Sequence, residues 1–396
     1  MRDVSERFVQ AVLGSTSPVV SVDIWLGGDV IRVGLKPSAG MVEFDSTRDV
    51  EGRLSLAVVD SESDGSALSK VIHAIGMRAN VRAGFDLAGT VETVSLGWFD
   101  IYEAHHTEAW EWRKWSAVPF KTSDLVTIEA LDLMSVVAGS QFLTPQQPTA
   151  GADAWATIED LCTGIVSTLN PSLPAKSIPA GLVFEWDRLK AIKDIAGLWG
   201  AVPVMTTEGQ LTLALPDAGD VTDDWGVRIN IADWQDATNS ADLHNGFTFL
   251  GKSLEGVELI GTAVEQSGLA RWGGDYGRRP KRASSDLMTT QAMVDAAAQT
   301  GLDNEIRSRS VTQSVNALWN PAVELRDRPN LVLPDSEVDS TVIGYSLPLT
   351  GGAMSVTLRL PMIRPFNPPP DWRPVPVPLP VTPYPDDFFP DTTFPA

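Results

Sequence analysis

The spacing of hydrophobic and polar positions changes several times along the chain. Residues 1–14 open at helical spacing: Phe8, Val9, Val12 and Leu13 fall on one face, Asp3 or Ser5 is placed to cap it, and Gly14 stops it. From there to about residue 134 the period shortens to two. VVSVDIW (19–25), the Gly27-Gly28 turn and DVIRVGL (29–35) predict a hairpin, and RLSLAVVD (53–60) puts Leu54, Leu56 and Val58 on one face. VETVSLGWFDIYEAHH (91–106) is a longer strand region broken at Gly97, where a bulge fits, and VTIEALDL (126–133) closes the segment. Many short strands with turn signals between them predict a barrel or sandwich.

Helical spacing returns from about 135. Trp155, Ile158, Leu161, Cys162, Ile165 and Leu169 form one stripe behind Asp153 as cap. A second stripe of Leu189, Ile192, Ile195, Ala196 and Trp199 follows Asp187 and stops at Gly200. AVPVMT, a TEGQ turn and LTLAL then predict a hairpin, so this stretch is a small mixed unit. From 244 the strand pattern resumes in HNGFTFLG, GVELIGTAVE, RSVTQSVNAL, VELRDRPNLVL, STVIGYSLPLT and AMSVTLRLP. Among them lies one helix, capped by Thr289 or Thr290, with Val294, Ala298, Leu302 and Ile306 four apart. Gly301 weakens that helix without forbidding it. Thirteen of the 36 residues from Pro361 to the last are proline, which excludes helix and interior strand. The pattern therefore predicts a mainly β fold with an α+β insertion. Residues 1–134 form a helix and a first barrel-like domain, 135–243 the mixed domain, 244–361 a second barrel-like domain with one helix, and 362–396 an extended arm.

Composition narrows the function. The 396 residues suit two or three domains at roughly 150 each. A net charge of −21 excludes general affinity for nucleic acid or anionic membranes, which needs clustered cations. One cysteine excludes an intrachain disulfide and suits a reducing compartment. No apolar run reaches the ~18 residues of a membrane span, so no membrane anchor is expected. MRDVSERFVQ lacks the apolar centre of a signal peptide.

The chemistry-bearing residues offer little for catalysis. His105 and His106 are neighbours on a strand and point to opposite faces, so they do not share a metal. His73 and His244 have no ligand at zinc spacing, and Cys162 sits on an apolar helix stripe as an inert thiol. Acidic pairs such as Asp223-Asp224 arise by chance among 51 carboxylates. The glycines of WGGDYG (272–277) resemble a phosphate loop only superficially, and no G-x-S-x-G, P-loop or H-E-x-x-H is present. No catalytic, cofactor or metal site is expected.

Two clusters stand out instead. Trp110, Trp112 and Trp115 in AWEWRKW form a protein interface, a core or a sugar-stacking platform, with Arg113 or Lys114 able to stack on the rings. Arg271, Arg278, Arg279, Lys281 and Arg282 make a basic island on an acidic chain, either a solvated loop or a partner contact. In the proline-rich arm, Trp372, Phe388 and Phe389 are the expected anchors onto another protein.

The order of these features resembles a known family. It is carried by the N-terminal helix containing V-S and F, by DRLKAIKDIAGLWGAVPVMTTEGQLTLAL, by DYGRRPKRASSDLMTTQAMVDAAAQTGLDNEI and by the closing GGAMSVTLRLP. Over about residues 1–361 the chain resembles minor tail proteins of actinobacterial tailed phages, relatives of the baseplate-hub family. The resemblance implies a homotrimer at the tail tip of a virion, assembled in the host cytoplasm. In it two β-barrel domains per chain present a pseudo-sixfold ring to the hexameric tail tube. It implies a distal tail protein, a tape-measure protein and fibre or receptor-binding components as partners, with DNA passing through unbound. Some relatives carry a peptidoglycan hydrolase or a fibre where this chain has its proline-rich arm. The alternatives are a non-enzymatic adhesin for host glycan and a cell-wall hydrolase.

Overall fold

The computed structural model describes residues 1–14, 16–59, 71–112, 115, 119–215, 221–226, 231–237, 243–253, 255–268, 270–284, 288–308, 310–332 and 337–361. The arm at 362–396, with Trp372, Phe388 and Phe389, lies outside the described residues, as do Arg113 and Lys114.

Ser5 is the cap of the first helix, α1 (Glu6–Leu13): its hydroxyl accepts from the Phe8 N–H at 3.2 Å. The Glu92 carboxylate accepts from the Ser5 N–H and O–H at 2.9 and 2.6 Å. These bonds favour its charged form and lower its pKa. The helix buries Phe8 and Ala11, whereas Val9 and Leu13 of the predicted face are exposed, because the contact row runs at i, i+3.

Seven strands follow: β1 (Pro18–Leu26), β2 (Asp29–Leu35), β3 (Ala39–Asp45), β4 (Gly52–Val59), β5 (Met77–Asp86), β6 (Val91–Glu111) and β7 (Phe120–Asp132); five lie where the periodicity predicts, and β3 and β5 are additional. Alternate residues such as Val22 and Ile24, Leu54 and Leu56, and Val126 and Ile128 are fully buried. Gly27 and Gly28, at φ +60° and +98°, supply the two positive φ values that the tight β1–β2 turn demands. The bulge expected at Gly97 is present: Val81 pairs with Gly97 and Arg82 with Ser95.

The mixed unit comprises α2 (Met134–Gly139), α3 (Ala154–Cys162), β8 (Ser167–Thr168), α4 (Arg188–Ala196), β9 (Val202–Met205) and β10 (Gln210–Ala214). Asp153 and Asp187 cap α3 and α4, accepting from Ala156 N and Lys190 N at 2.8 and 2.9 Å. The α3 stripe stops short of Leu169 because Gly164, at φ +75°, turns the chain into β8. This unit has its own core, built on Trp155, Ile158, Ile192, Ile195 and Leu211.

The remaining elements are β11 (Val221–Gly226), β12 (Ile231–Ala237), β13 (Gly246–Lys252), β14 (Glu258–Val264), β15 (Pro280–Ser284), α5 (Gln291–Ser308), β16 (Ser310–Ala317), β17 (Arg328–Val332), β18 (Glu337–Asp339), β19 (Thr341–Pro348) and β20 (Met354–Pro361). Their pairing redraws the expected two barrels. Eleven antiparallel strands join in the order β12-β16-β20-β19-β3-β4-β7-β6-β5-β1-β2. The junction is β19 with β3, where Tyr345 pairs with Phe44 and their rings lie 5.1 Å apart. Strands from both ends of the chain thus share one sheet and one core, and no closed barrel forms among the described residues. The reason is spatial: β3 offers an edge beside β4 that β19 fills, while the other edge of β19 pairs with β20.

Between those halves, β14-β13-β15 forms a small sheet covered by α5, with Phe247, Ala263, Ala298 and Leu302 at its centre. Val294, Ala298 and Leu302 are buried as predicted, while Ile306 is exposed.

Candidate functional site

The long strand β6 changes partner along its length. Residues 91–100 pair with β5, and residues 99–111 pair with β7. β4 pairs with β7 only from Leu125 to Leu131, so among the described residues Thr107–Glu111 and Phe120–Asp124 continue as a two-stranded ribbon. Its end carries Trp110, Trp112 and Trp115, which are 54%, 69% and 93% exposed. That removes the core from the readings of this cluster. Large indoles left in water at a projecting hairpin are characteristic of a contact surface.

The basic island lies on a loop organised by one buried residue. Asn245 Nδ2 donates to the carbonyls of Ala270 and Gly277, both at 2.9 Å, and its Oδ1 accepts from Arg279 N at 2.8 Å. Gly273 and Gly277 take φ of +75° and +85° to make the turn. The glycines of 272–277 therefore serve a hydrogen-bonded turn ahead of β15. Arg279 lies over the Tyr276 ring at 4.4 Å, and Lys281 pairs with Glu305 at 2.6 Å. Arg279 thus packs within the loop, and Lys281 ties β15 to α5. Arg271, Arg278 and Arg282 are exposed.

The remaining chemical candidates are accounted for by local contacts. His105 Nε2 meets Glu103 Oε1 at 2.8 Å, and His106 Nε2 meets the Ile72 carbonyl at 3.2 Å, so the two rings go to different partners. His73 Nδ1 accepts from Ile75 N, and His244 faces Glu305. Among the described residues no group of His, Cys, Asp and Glu is arranged to hold a metal. Burial pushes the Cys162 thiol up to about 11, away from a nucleophilic thiolate. Asp224 accepts from Asn330 Nδ2 at 2.9 Å across β11 and β17.

One feature was not legible in the sequence. Trp25, Arg78 and Asp100 occupy directly paired positions on β1, β5 and β6, so their side chains share the sheet face opposite the buried Ile24, Ala79 and Phe99. Trp98, two residues from Asp100, lies beside Trp25 with ring centroids 5.3 Å apart at 63°. Together with the turn at Glu208-Gly209 and the segment 164–167 of the mixed unit, they line a cleft of about 830 Å³. Gly209 lets the chain lie against Trp98: a Cβ there would come 3.2 Å from the indole. Each residue is an unremarkable strand position alone, and only the three-strand register assembles them.

No family model matches the chain, and no curated protein does. Solved structures do share its architecture. The tail protein from Neisseria meningitidis MC58 superposes with a TM-score of 0.62 at 12% identity, over 86% of this chain and 96% of that one. The 43 kDa tail protein of prophage MuSo2 from Shewanella oneidensis gives 0.58 at 11% identity, over 86% and 98%. Prophage tail protein gp18 from Listeria monocytogenes gives 0.51 at 12%, over 86% and 94%. At these identities the likeness is one of fold: this chain folds, over most of its length, as these three tail proteins do.

Proposed function

We propose that this chain is a structural protein of a phage tail tip. In this reading three copies form a hub ring that joins the tail tube and distal tail protein to host-binding parts and surrounds the DNA exit. The observation that carries the reading is the extent of the fold likeness, which takes in nearly the whole of each tail protein compared rather than a shared module. The exposed Trp110, Trp112 and Trp115 on a projecting ribbon supply a docking element of the kind an assembled ring needs. Arg271, Arg278 and Arg282 offer a cationic surface on a chain of net charge −21, suited to carboxylates of a neighbouring subunit or tail component. The acidic excess itself repels DNA phosphates, which favours passage over sticking.

The test is the mass and symmetry of the purified protein. A closed ring of three has a mass of about 128 kDa, three times 42.7 kDa, and shows threefold symmetry with a central channel in electron micrographs. A monomer at micromolar concentration overturns the hub. Replacing Arg278 and Arg282 by Glu is expected to weaken assembly while leaving each chain folded. A ring unaffected by that reversal assigns the island to solvent.

The exposed tryptophans also suit the adhesin reading, in which the ribbon stacks on host glycan. Loss of cell binding by the Trp112→Ala, Trp115→Ala double variant, with ring mass unchanged, selects that reading for the ribbon.

A further inference from the structure

We propose that the cleft floored by Trp25, Arg78 and Asp100 is a carbohydrate-binding site, taking a neutral pyranose unit of a saccharide chain. The inference stands on the cleft alone and does not rest on the tail-tip reading.

A pyranose presents a C–H face that packs on indole and a rim of hydroxyls that both donate and accept. The cleft supplies the complement of each. Trp25 and Trp98 are two indoles inclined to one another on its wall, at 5.3 Å between centroids. Arg78 brings donors only and Asp100 acceptors only, side by side on neighbouring strands, which is the pairing that grips vicinal hydroxyls.

Charge and size select the class. Arg78 against Asp100 and Glu208 leaves the lining with a formal excess of one negative charge. Phosphate or carboxylate ligands are therefore disfavoured, and a polyol is admitted. About 830 Å³ falls within the ~300–1,000 Å³ of ordinary ligand sites. The open backbone at Gly27 and Gly28, where no atom lies within 4 Å of a Cβ position, leaves one end free for a chain to run out. A site closed around a single sugar would lack that exit.

The experiment uses the full chain with ¹⁵N-labelled tryptophan. The indole resonances of Trp25 and Trp98 are identified by their loss in Trp25→Phe and Trp98→Phe. D-glucose, D-galactose, D-mannose, N-acetyl-D-glucosamine and L-rhamnose are each titrated to about 50 mM, well above a millimolar Kd, with triglycine as the peptide probe. At least one sugar is expected to move both resonances saturably. Asp100→Asn is expected to weaken that sugar about fivefold or more, and Trp25→Phe, which shrinks the indole to a single phenyl ring and removes its N–H, to weaken it as well. Trp112→Ala should leave the response intact. No movement with any of the five sugars overturns the site, as does a response to triglycine alone or one confined to the ribbon tryptophans. The mass of the Asp100→Asn particle, expected to equal the wild type's, keeps a failure here separate from a failure of the hub.

Discussion

Asn245 and Arg279 hold one another by two hydrogen bonds: Asn245 N donates to the Arg279 carbonyl at 3.0 Å, and Arg279 N donates to Asn245 Oδ1 at 2.8 Å. With the two bonds from Nδ2, one fully buried side chain fixes the loop that carries the basic island. Asn245→Ala leaves the Ala270 carbonyl and the Arg279 N–H without partners and leaves the Gly277 carbonyl only its bond from Gly273 N, and the expected cost is about 3 kcal/mol or more. Trypsin cleavage at Arg271 and Arg278 should accelerate in the variant. Asn245→Asp is expected to be worse, since it sets a carboxylate against the carbonyls of Ala270 and Gly277. Unaltered urea midpoints and digestion rates would remove Asn245 from this role.

Gly301 lies inside α5, where alanine is ordinarily better by about 1 kcal/mol. Here a Cβ would meet the Phe247 ring at 2.7 Å, and overpacking of that kind costs about 1–3 kcal/mol. Gly301→Ala should therefore destabilise the wild type. In a Phe247→Ala background the clash is absent, and the same substitution should stabilise. The sign reversal is read from urea unfolding of the four proteins in a double-mutant cycle.

Asp132 predicts a pH dependence. Burial raises its pKa from 3.8 to about 6, although Gly52 N and Met134 N donate to its oxygens at 2.5 and 2.8 Å. Between about pH 4 and 6 the folded chain holds this proton more tightly than the unfolded one. Stability from this group is therefore greatest at the acidic end and falls as pH rises through 6, by about 3 kcal/mol in all. The difference between wild-type and Asp132→Asn unfolding free energies, measured from pH 4 to 8, should trace that slope and flatten above pH 7. A flat difference across the whole range contradicts it.

Cys162 is fully buried with its thiol pKa at about 11. Iodoacetamide should not label the native protein at pH 8 on the timescale of free cysteine. Its rate of labelling should follow the opening of the mixed unit as urea rises. Prompt labelling without denaturant would show that α3 does not shield the sulfur.

Local periodicity was enough to place most strands, because alternation such as Leu54, Leu56 and Val58 reports one buried face directly. The caps Ser5, Asp153 and Asp187 were equally legible, since capping is a short-range bond. Pairing was not. Phe44 and Tyr345 lie about 300 positions apart, and nothing in either strand names the other. The same gap hid the cleft, whose members come from three strands, and left the exposure of Trp110 and Trp112 undecided, because a strand alternates alike in a core or a ribbon. The loop held by Asn245 has no period at all, so the hydrogen-bonded turn that its glycines make could not be read from spacing.

The seam between β3 and β19 sets the order in which the molecule is made. At ribosomal speeds of ~5–20 residues per second, Phe44 emerges roughly 15–60 s before Tyr345. Once Ala214 has emerged, the mixed unit, with a core of its own, has its contacts at hand, while the edge of β3 still waits as unpaired backbone. Closing so distant a pair draws on loop entropy before any contact repays it, which puts completion of the large sheet among slow folding events. A nascent chain halted before β19 would display that edge to its neighbours on the polysome, where strand-to-strand association between copies competes with the native seam.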